Sequence, residues 1–375
     1  MENKRKTSLI TLIAGIVVLA LAIVIIAFTR GGSDTDAQGV VNRKDDPVVV
    51  NAIVGSEKAG FFDDPEVIDE LAKNGYVVNY KTEGSRKISS VNAEGIDILS
   101  PSSASAGRKV IENYPNVGHY TPFSSPMVIS TFTPILQSLE SEGISYQENG
   151  VWYIKMDKMI ELSKSGKRWS DISDIYPSPR VPYISTTDIA SSNSAAMYLS
   201  ILAWVVNNNQ VPATESDIDH VVEEISPLFI GQGFTESSSA STFNDYLSLG
   251  MGSKPMVLSY ESQYLEAEMN QELPKDANIA YPSPTVFSSH VFVALSENGD
   301  VVSRLITESP RLQELAAKHG FRPANNADAF NNVLEERGIE SPPDFIPFVD
   351  TPGYDQMEQL INKVTNRTKQ GKIEL

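Results

Sequence analysis

Past residue 46 the chain alternates short apolar runs with segments whose apolar residues recur at helical spacing, and glycine- or serine-rich stretches separate the two. Val48-Val49-Val50-Asn51-Ala52-Ile53-Val54 predicts a buried strand that ends in Gly55-Ser56-Glu57-Lys58. The stretch from Asp64 to Lys73 has a capping residue, an early proline, acids in its first turn and a terminal lysine before Asn74-Gly75, so it predicts a helix. A strand over Tyr76 to Tyr80 leads into Gly84-Ser85-Arg86. A third unit repeats the theme with strand Ile96 to Leu99, loop Ser100-Pro101-Ser102-Ser103-Ala104-Ser105 and a helix through Arg108 to Asn113. Strands that alternate with helices predict a mostly parallel sheet covered on both faces, with ligands outside the carboxyl ends of its strands.

The pattern shifts near Pro122-Phe123-Ser124-Ser125-Pro126, and Met127 to Thr131 enters a second region. That region predicts helices over Pro134 to Glu142, Met156 to Ser165, about 217 to 225 and about 241 to 249, and a strand over Pro255 to Glu261. Trp152 and Tyr153, between Val151 and Ile154, suit packing within a lobe. A Pro-rich strand, Tyr281 to Phe287, reads as the return crossing and makes the first region discontinuous; strand Ser289 to Leu295 and a helical tail follow.

Between these lies Tyr183-Ile184-Ser185-Thr186-Thr187-Asp188-Ile189-Ala190-Ser191-Ser192-Asn193-Ser194, followed by an Ala/Leu/Ile-rich segment to Trp204. It reads as strand, hydroxyl-rich loop and helix. The first N–H groups of a helix lack intrahelical partners and the macrodipole is positive there, so Ser192, Asn193 and Ser194 can surround a polar or anionic ligand with neutral donors. The same residues are also the commonest helix caps, and the two readings stay open on this stretch alone.

Composition adds two constraints. The chain of 375 residues is 41% hydrophobic and carries a formal charge of −18, which suits about two globular domains and repels nucleic acid. There are no cysteines, which excludes disulfides, thiol nucleophiles and a lipid-modified cysteine anchor. Leu9 to Phe28 is an uncharged apolar run long enough to cross a bilayer, preceded by Lys4, Arg5 and Lys6. The expected arrangement is a cytoplasmic tail over 1–8, a single-pass anchor over 9–28, a flexible linker over 29–46, and an extracellular bulk. A cleaved signal peptide is the alternative, and the length of the run favours the anchor. Elbow, phosphate-loop, dinucleotide and zinc-protease motifs are absent from the sequence, and His119, His220, His290 and His319 lack ligand spacing, so no catalytic residue, metal or cofactor is expected.

The order of Gly55-Ser56-Glu57-Lys58, Gly84-Ser85-Arg86, Ser100-Pro101-Ser102-Ser103, the crossing at Phe123 to Val128, Thr186-Thr187-Asp188 with Ser192-Asn193-Ser194, Ser259-Tyr260-Glu261, Tyr281-Pro282-Ser283-Pro284 and His319 to Pro323 resembles bacterial extracellular solute-binding proteins. The similarity is to the type 2 periplasmic-binding branch related to sulfate- and molybdate-binding proteins and to binding domains fused to von Willebrand A domains. The resemblance implies an α/β, two-lobed fold with two interlobe crossings, lobe 1 over 47–125 and 286–375, and lobe 2 over 126–285. It implies a cleft lined by Ser56, Ser85, Ser102, Ser103, Thr187, Ser192, Asn193, Ser194, Tyr260 and Glu261. The implied role is non-catalytic capture of a small polar or anionic solute for transport or sensing, with an ABC permease as partner. The alternative is a cell-surface interaction or scaffold module with the same fold and another surface protein as partner.

Overall fold

The computed structural model describes residues 47–374 other than 234, 237 and 344. The expected tail, anchor and linker over 1–46 therefore lie outside the described residues; among those described, no helix is long and apolar enough to cross a membrane.

Strands β1 (Val48–Val54), β2 (Tyr76–Thr82) and β3 (Ile98–Ser100) pair in parallel in the order β2-β1-β3, as the alternating pattern predicts. The Pro65–Lys73 helix begins as its sequence dictates, with the Asp64 carboxylate accepting from the Glu66 N–H and Pro65 in the first turn. Ser103 caps the Ala104–Asn113 helix by accepting from the Ala106 N–H.

Strand β4 (Gly118–Phe132) runs for 15 residues and belongs to both lobes. Its first part pairs with β9 (Phe287–Ala294), beside β3, and its second part with β7 (Val257–Tyr260) and β8 (Ala277–Ser283). From Phe123 onward almost every residue of β4 is buried, as expected of a strand covered on both faces. The hairpin β5 (Ser145–Glu148) to β6 (Val151–Lys155) extends the second sheet and turns at Asn149-Gly150, both at positive φ. An Asn-Gly pair between apolar runs is a strong local hairpin signal, although the expected elements above do not include it.

Two expected strands differ from what their apolar runs suggest, one in length and one in position. The Tyr183 run makes one isolated bridge, Ser185 to Val257, since Pro182 has no N–H for a ladder and β7 is only four residues long. The strand expected to reach Phe287 stops at Ser283, immediately before Pro284.

The tail corrects the expected division. After the Pro310–Lys318 helix, capped by Ser309, β10 (Arg322–Pro323) pairs with β4 in the first lobe and the Ala327–Glu336 helix follows. The chain then returns along the second lobe, where Thr285 bridges Phe348. The Tyr354–Glu374 helix packs on the Asn193–Val206 and Glu215–Gly231 helices, and Met357, Leu360, Ile361 and Val364 join the second-lobe core. The lobes are thus joined by three passages rather than two, and residues 354–374 belong with lobe 2. Helical periodicity shows that a helix has an apolar side; which lobe offers the matching apolar surface is a tertiary fact.

Candidate functional site

A cavity of about 280 Å³ opens at the carboxyl ends of β1, β2 and β7. The first lobe contributes Ser56 and Ser85 from the loops that leave β1 and β2, and the second contributes Ser192, Asn193 and Tyr260. These five expected residues, far apart in sequence, border one space. The Asn193–Val206 and Ser239–Leu249 helices both begin at it. Ser192 occupies the N-cap position of the first, yet its side chain makes no capping bond to the helix; its hydroxyl lies 3.1 Å from that of Ser194. Ser238, by contrast, caps the second helix by accepting from the Ser241 N–H. Two helix N-termini and several hydroxyls give the cavity a neutral, donor-rich wall.

Five other expected residues lie behind that wall. Ser102 is fully buried and links the lobes: its carbonyl accepts from Asn193 Nδ2 (3.1 Å) and Ser288 Oγ (2.6 Å), and its N–H donates to Ser85 Oγ (2.9 Å). Ser103 is the cap already described. Thr187 and Ser194 are buried with their hydroxyls 2.7 Å apart. Glu261 ends up furthest from its expected role. It is fully buried, gripped by the Arg322 fork at 2.6 and 2.7 Å, and accepts from the Tyr281 hydroxyl at 2.5 Å. Burial is the main obstacle to a charged Arg322, but Glu261 outweighs it and holds the guanidinium charged; burial together with Glu261 pushes the Tyr281 hydroxyl well above its ordinary range.

A charge cluster that the sequence announces only faintly runs from Glu57 at the cavity wall into the interior behind it. Lys58 is completely buried, and its ammonium donates to Glu57 Oε1 (2.7 Å) and Ser102 Oγ (2.6 Å) and lies 3.2 Å from His290 Nδ1. Ser102 also donates to Glu57 Oε1. Burial favours a neutral Glu57, but the Lys58 charge foremost, with the His290 ring 3.5 Å away, outweighs it and holds the carboxyl far below its usual range. Burial lowers Lys58, with Glu57 offsetting part of the effect. Burial and the Lys58 charge lower His290 to about 4, so the imidazole is neutral at pH 7. The signal available in the sequence was weak but present: a histidine at an inward position of the apolar strand Val291-Phe292-Val293, where a polar ring needs a partner.

The second acid at the cavity, Glu83, is also countered. Its carboxylate accepts from the Gly84 N–H (2.9 Å) and lies 3.3 Å from Lys87, and these contacts, the backbone bond foremost, lower its pKa. Each cavity acid therefore has its own cation, and the helix N-termini supply the remaining polarity.

No family model and no curated protein matches the chain. Solved structures do. The periplasmic binding protein AfuA from Actinobacillus pleuropneumoniae, with exogenous fructose-6-phosphate bound, superimposes with a TM-score of 0.55 at 13% identity, covering 86% of this chain and 98% of that one. An ABC transporter structure from Clostridium perfringens gives 0.53 at 14%, covering 86% and 99%, and iron-bound HitA from Pseudomonas aeruginosa gives 0.51 at 11%, covering 87% and 99%. At such identities the likeness carries the fold, and the fold is that of type 2 periplasmic solute-binding proteins.

Proposed function

We propose, on the premise of this type 2 periplasmic-binding fold, that the protein is a non-catalytic receptor that captures a small polar or anionic solute between its lobes. One observation carries the reading: a single cavity is bordered by hydroxyls of both lobes and by the start of two helices longer than ten residues. Its size of about 280 Å³ suits a metabolite or oxyanion rather than a drug-sized molecule. The matched Glu57–Lys58 and Glu83–Lys87 pairs leave no uncompensated carboxylate to repel an anion. The neighbours that hold a sugar phosphate or iron favour the same class of role. The apolar run over 9–28 would tether the receptor to the membrane with its bulk outside, where an ABC permease is the fitting partner.

Calorimetry of the full chain in detergent micelles against inorganic oxyanions, sugar phosphates, organic acids, sugars and amino acids tests the proposal, paired with X-ray scattering for compaction. The expected result is one saturable binder that Ser192→Ala and Ser85→Ala weaken. No binder across the panel, with scattering unchanged, would favour the surface-scaffold reading instead.

A further inference from the structure

Arg86 follows the cavity residue Ser85, but its side chain leaves the cavity and reaches the other lobe. Its guanidinium forms a two-pronged pair with Glu358 of the Tyr354–Glu374 helix, Nε to Oε1 at 2.5 Å and Nη2 to Oε2 at 2.8 Å. The remaining nitrogen donates to the carbonyls of Ala190 (2.9 Å) and Ile189 (3.4 Å), just ahead of the cavity residue Ser192. One turn before Glu358, the Tyr354 hydroxyl lies 2.9 Å from Ser89 Oγ and 3.4 Å from the Arg86 carbonyl. Lys109 of the first lobe sits over the Tyr354 ring, 5.6 Å from its centre.

These contacts share one topology. Arg86, Ser89 and Lys109 belong to the first lobe, whose core takes in the neighbouring Ile88 and Val110. Glu358 and Tyr354 ride on a helix whose apolar residues are embedded in the second. None of the five lies on β4, β8 or β9, the strands that carry two of the passages between lobes. A planar fork closed on a carboxylate and on two carbonyls fixes an orientation as well as a distance, which a lysine there would not do.

We propose that Arg86 is a positioning residue that sets cleft affinity from outside the cavity, because its grip on Glu358 and on the Ile189 and Ala190 carbonyls latches the lobes shut. The inference rests on the receptor reading for its purpose, but its test needs no solute. A receptor closed for part of the time before it meets its solute binds more tightly by the fraction already competent. The carboxyl-terminal helix then acts as a strap, anchored in one lobe and fastened to the other.

The absence of native cysteine makes the test clean. Spin labels on Lys73→Cys and Gln210→Cys, exposed positions in lobes 1 and 2, report the interlobe distance in the full chain with no solute added. The parent should populate a short distance. Arg86→Ala and Glu358→Gln should each shift the closed-to-open ratio about two- to fivefold toward longer distances. Arg86→Lys should fall between, and the reversed pair Arg86→Glu with Glu358→Arg should recover part of the short population. A distribution in Arg86→Ala identical to the parent's overturns the latch, as does a lowered melting temperature with no change in distance. Failure of every solute in calorimetry would overturn the receptor reading alone and leave this measurement intact.

Discussion

Two buried carboxylates separate the working edge of the cleft from its scaffold. Glu261, at the end of β7, has both oxygens held, by the two prongs of Arg322 and by the Tyr281 hydroxyl. Glu57, at the cavity, concentrates its bonds on Oε1, which faces Lys58, Ser102 and His290. The first acid fastens β7 to β10; the second borders open space and is held ionised by a buried cation. Proximity to a strand's carboxyl end does not make a residue a ligand. What matters is whether the fold has already used its polar atoms.

The largest way to break this contrast is Arg322→Ala. It leaves Glu261 charged and unpaired in the interior, and loss of one partner of a buried pair costs about 3 to 5 kcal/mol, read as a lower denaturant midpoint. Solute binding by the protein that remains folded should be unchanged. Lys58→Met is expected to cost less, about 1 to 3 kcal/mol, because Glu57 borders the cavity and water can solvate it there. Its second readout is spectroscopic. The His290 imidazole, which titrates at about 4 in the parent, should move upward in the variant as the Lys58 charge disappears while burial persists. A His290 titration that stayed at its parent value in Lys58→Met would mean burial alone sets it.

A smaller effect distinguishes His290 from His319. Burial opposes the charged form of His319, but Glu266 at 2.7 Å and Asp64 at 3.0 Å outweigh it and raise its pKa. A raised histidine stabilises the fold fully below its unfolded value of about 6.5, and that contribution is lost as pH rises through the folded value. His290 has the opposite sign: its contribution is present above about 6.5 and is lost as pH falls toward about 4. His319→Gln should therefore lower the melting temperature near pH 6 and leave it nearly unchanged at pH 9. Equal losses at both pH values would show that the ring packs rather than pairs.

The smallest effect repeats the contrast between two serines. Ser103→Ala removes a cap and should cost about 0.5 to 1 kcal/mol of stability with no change in affinity. Ser192→Ala removes no cap, so its melting temperature should hold while affinity for the tightest solute of the panel falls. A lowered melting temperature in Ser192→Ala with affinity intact would reverse the assignment of the two hydroxyls.

Local chemistry made much of the first lobe legible. The apolar run of β1, the Asp64-Pro65 start of its helix and the polar loops after β1 and β2 are specified within a few residues of themselves. The loops bearing Ser56 and Ser85 could be placed at strand ends for the same reason, and Ser192 at the start of its helix. What could not be read were choices made across long sequence separations. Glu261 meets Arg322, and Lys58 meets His290, through strand pairings that no local pattern encodes. A buried lysine in a Gly-Ser-Glu-Lys loop looks like any surface turn until a distant histidine and serine close over it. The Tyr354–Glu374 helix was visible as a helix, but the lobe it covers was not.

Strand β4 carries a mechanical consequence. Because one continuous ribbon is hydrogen-bonded into the sheets of both lobes, the angle between them changes by flexing a paired strand rather than by swivelling on a slack loop. Such a joint behaves as a leaf spring: it permits a modest excursion about a preferred angle and resists a wide gape. On the receptor proposal, such a joint would discriminate by girth as well as by chemistry, since swinging the jaws further apart would strain a paired strand.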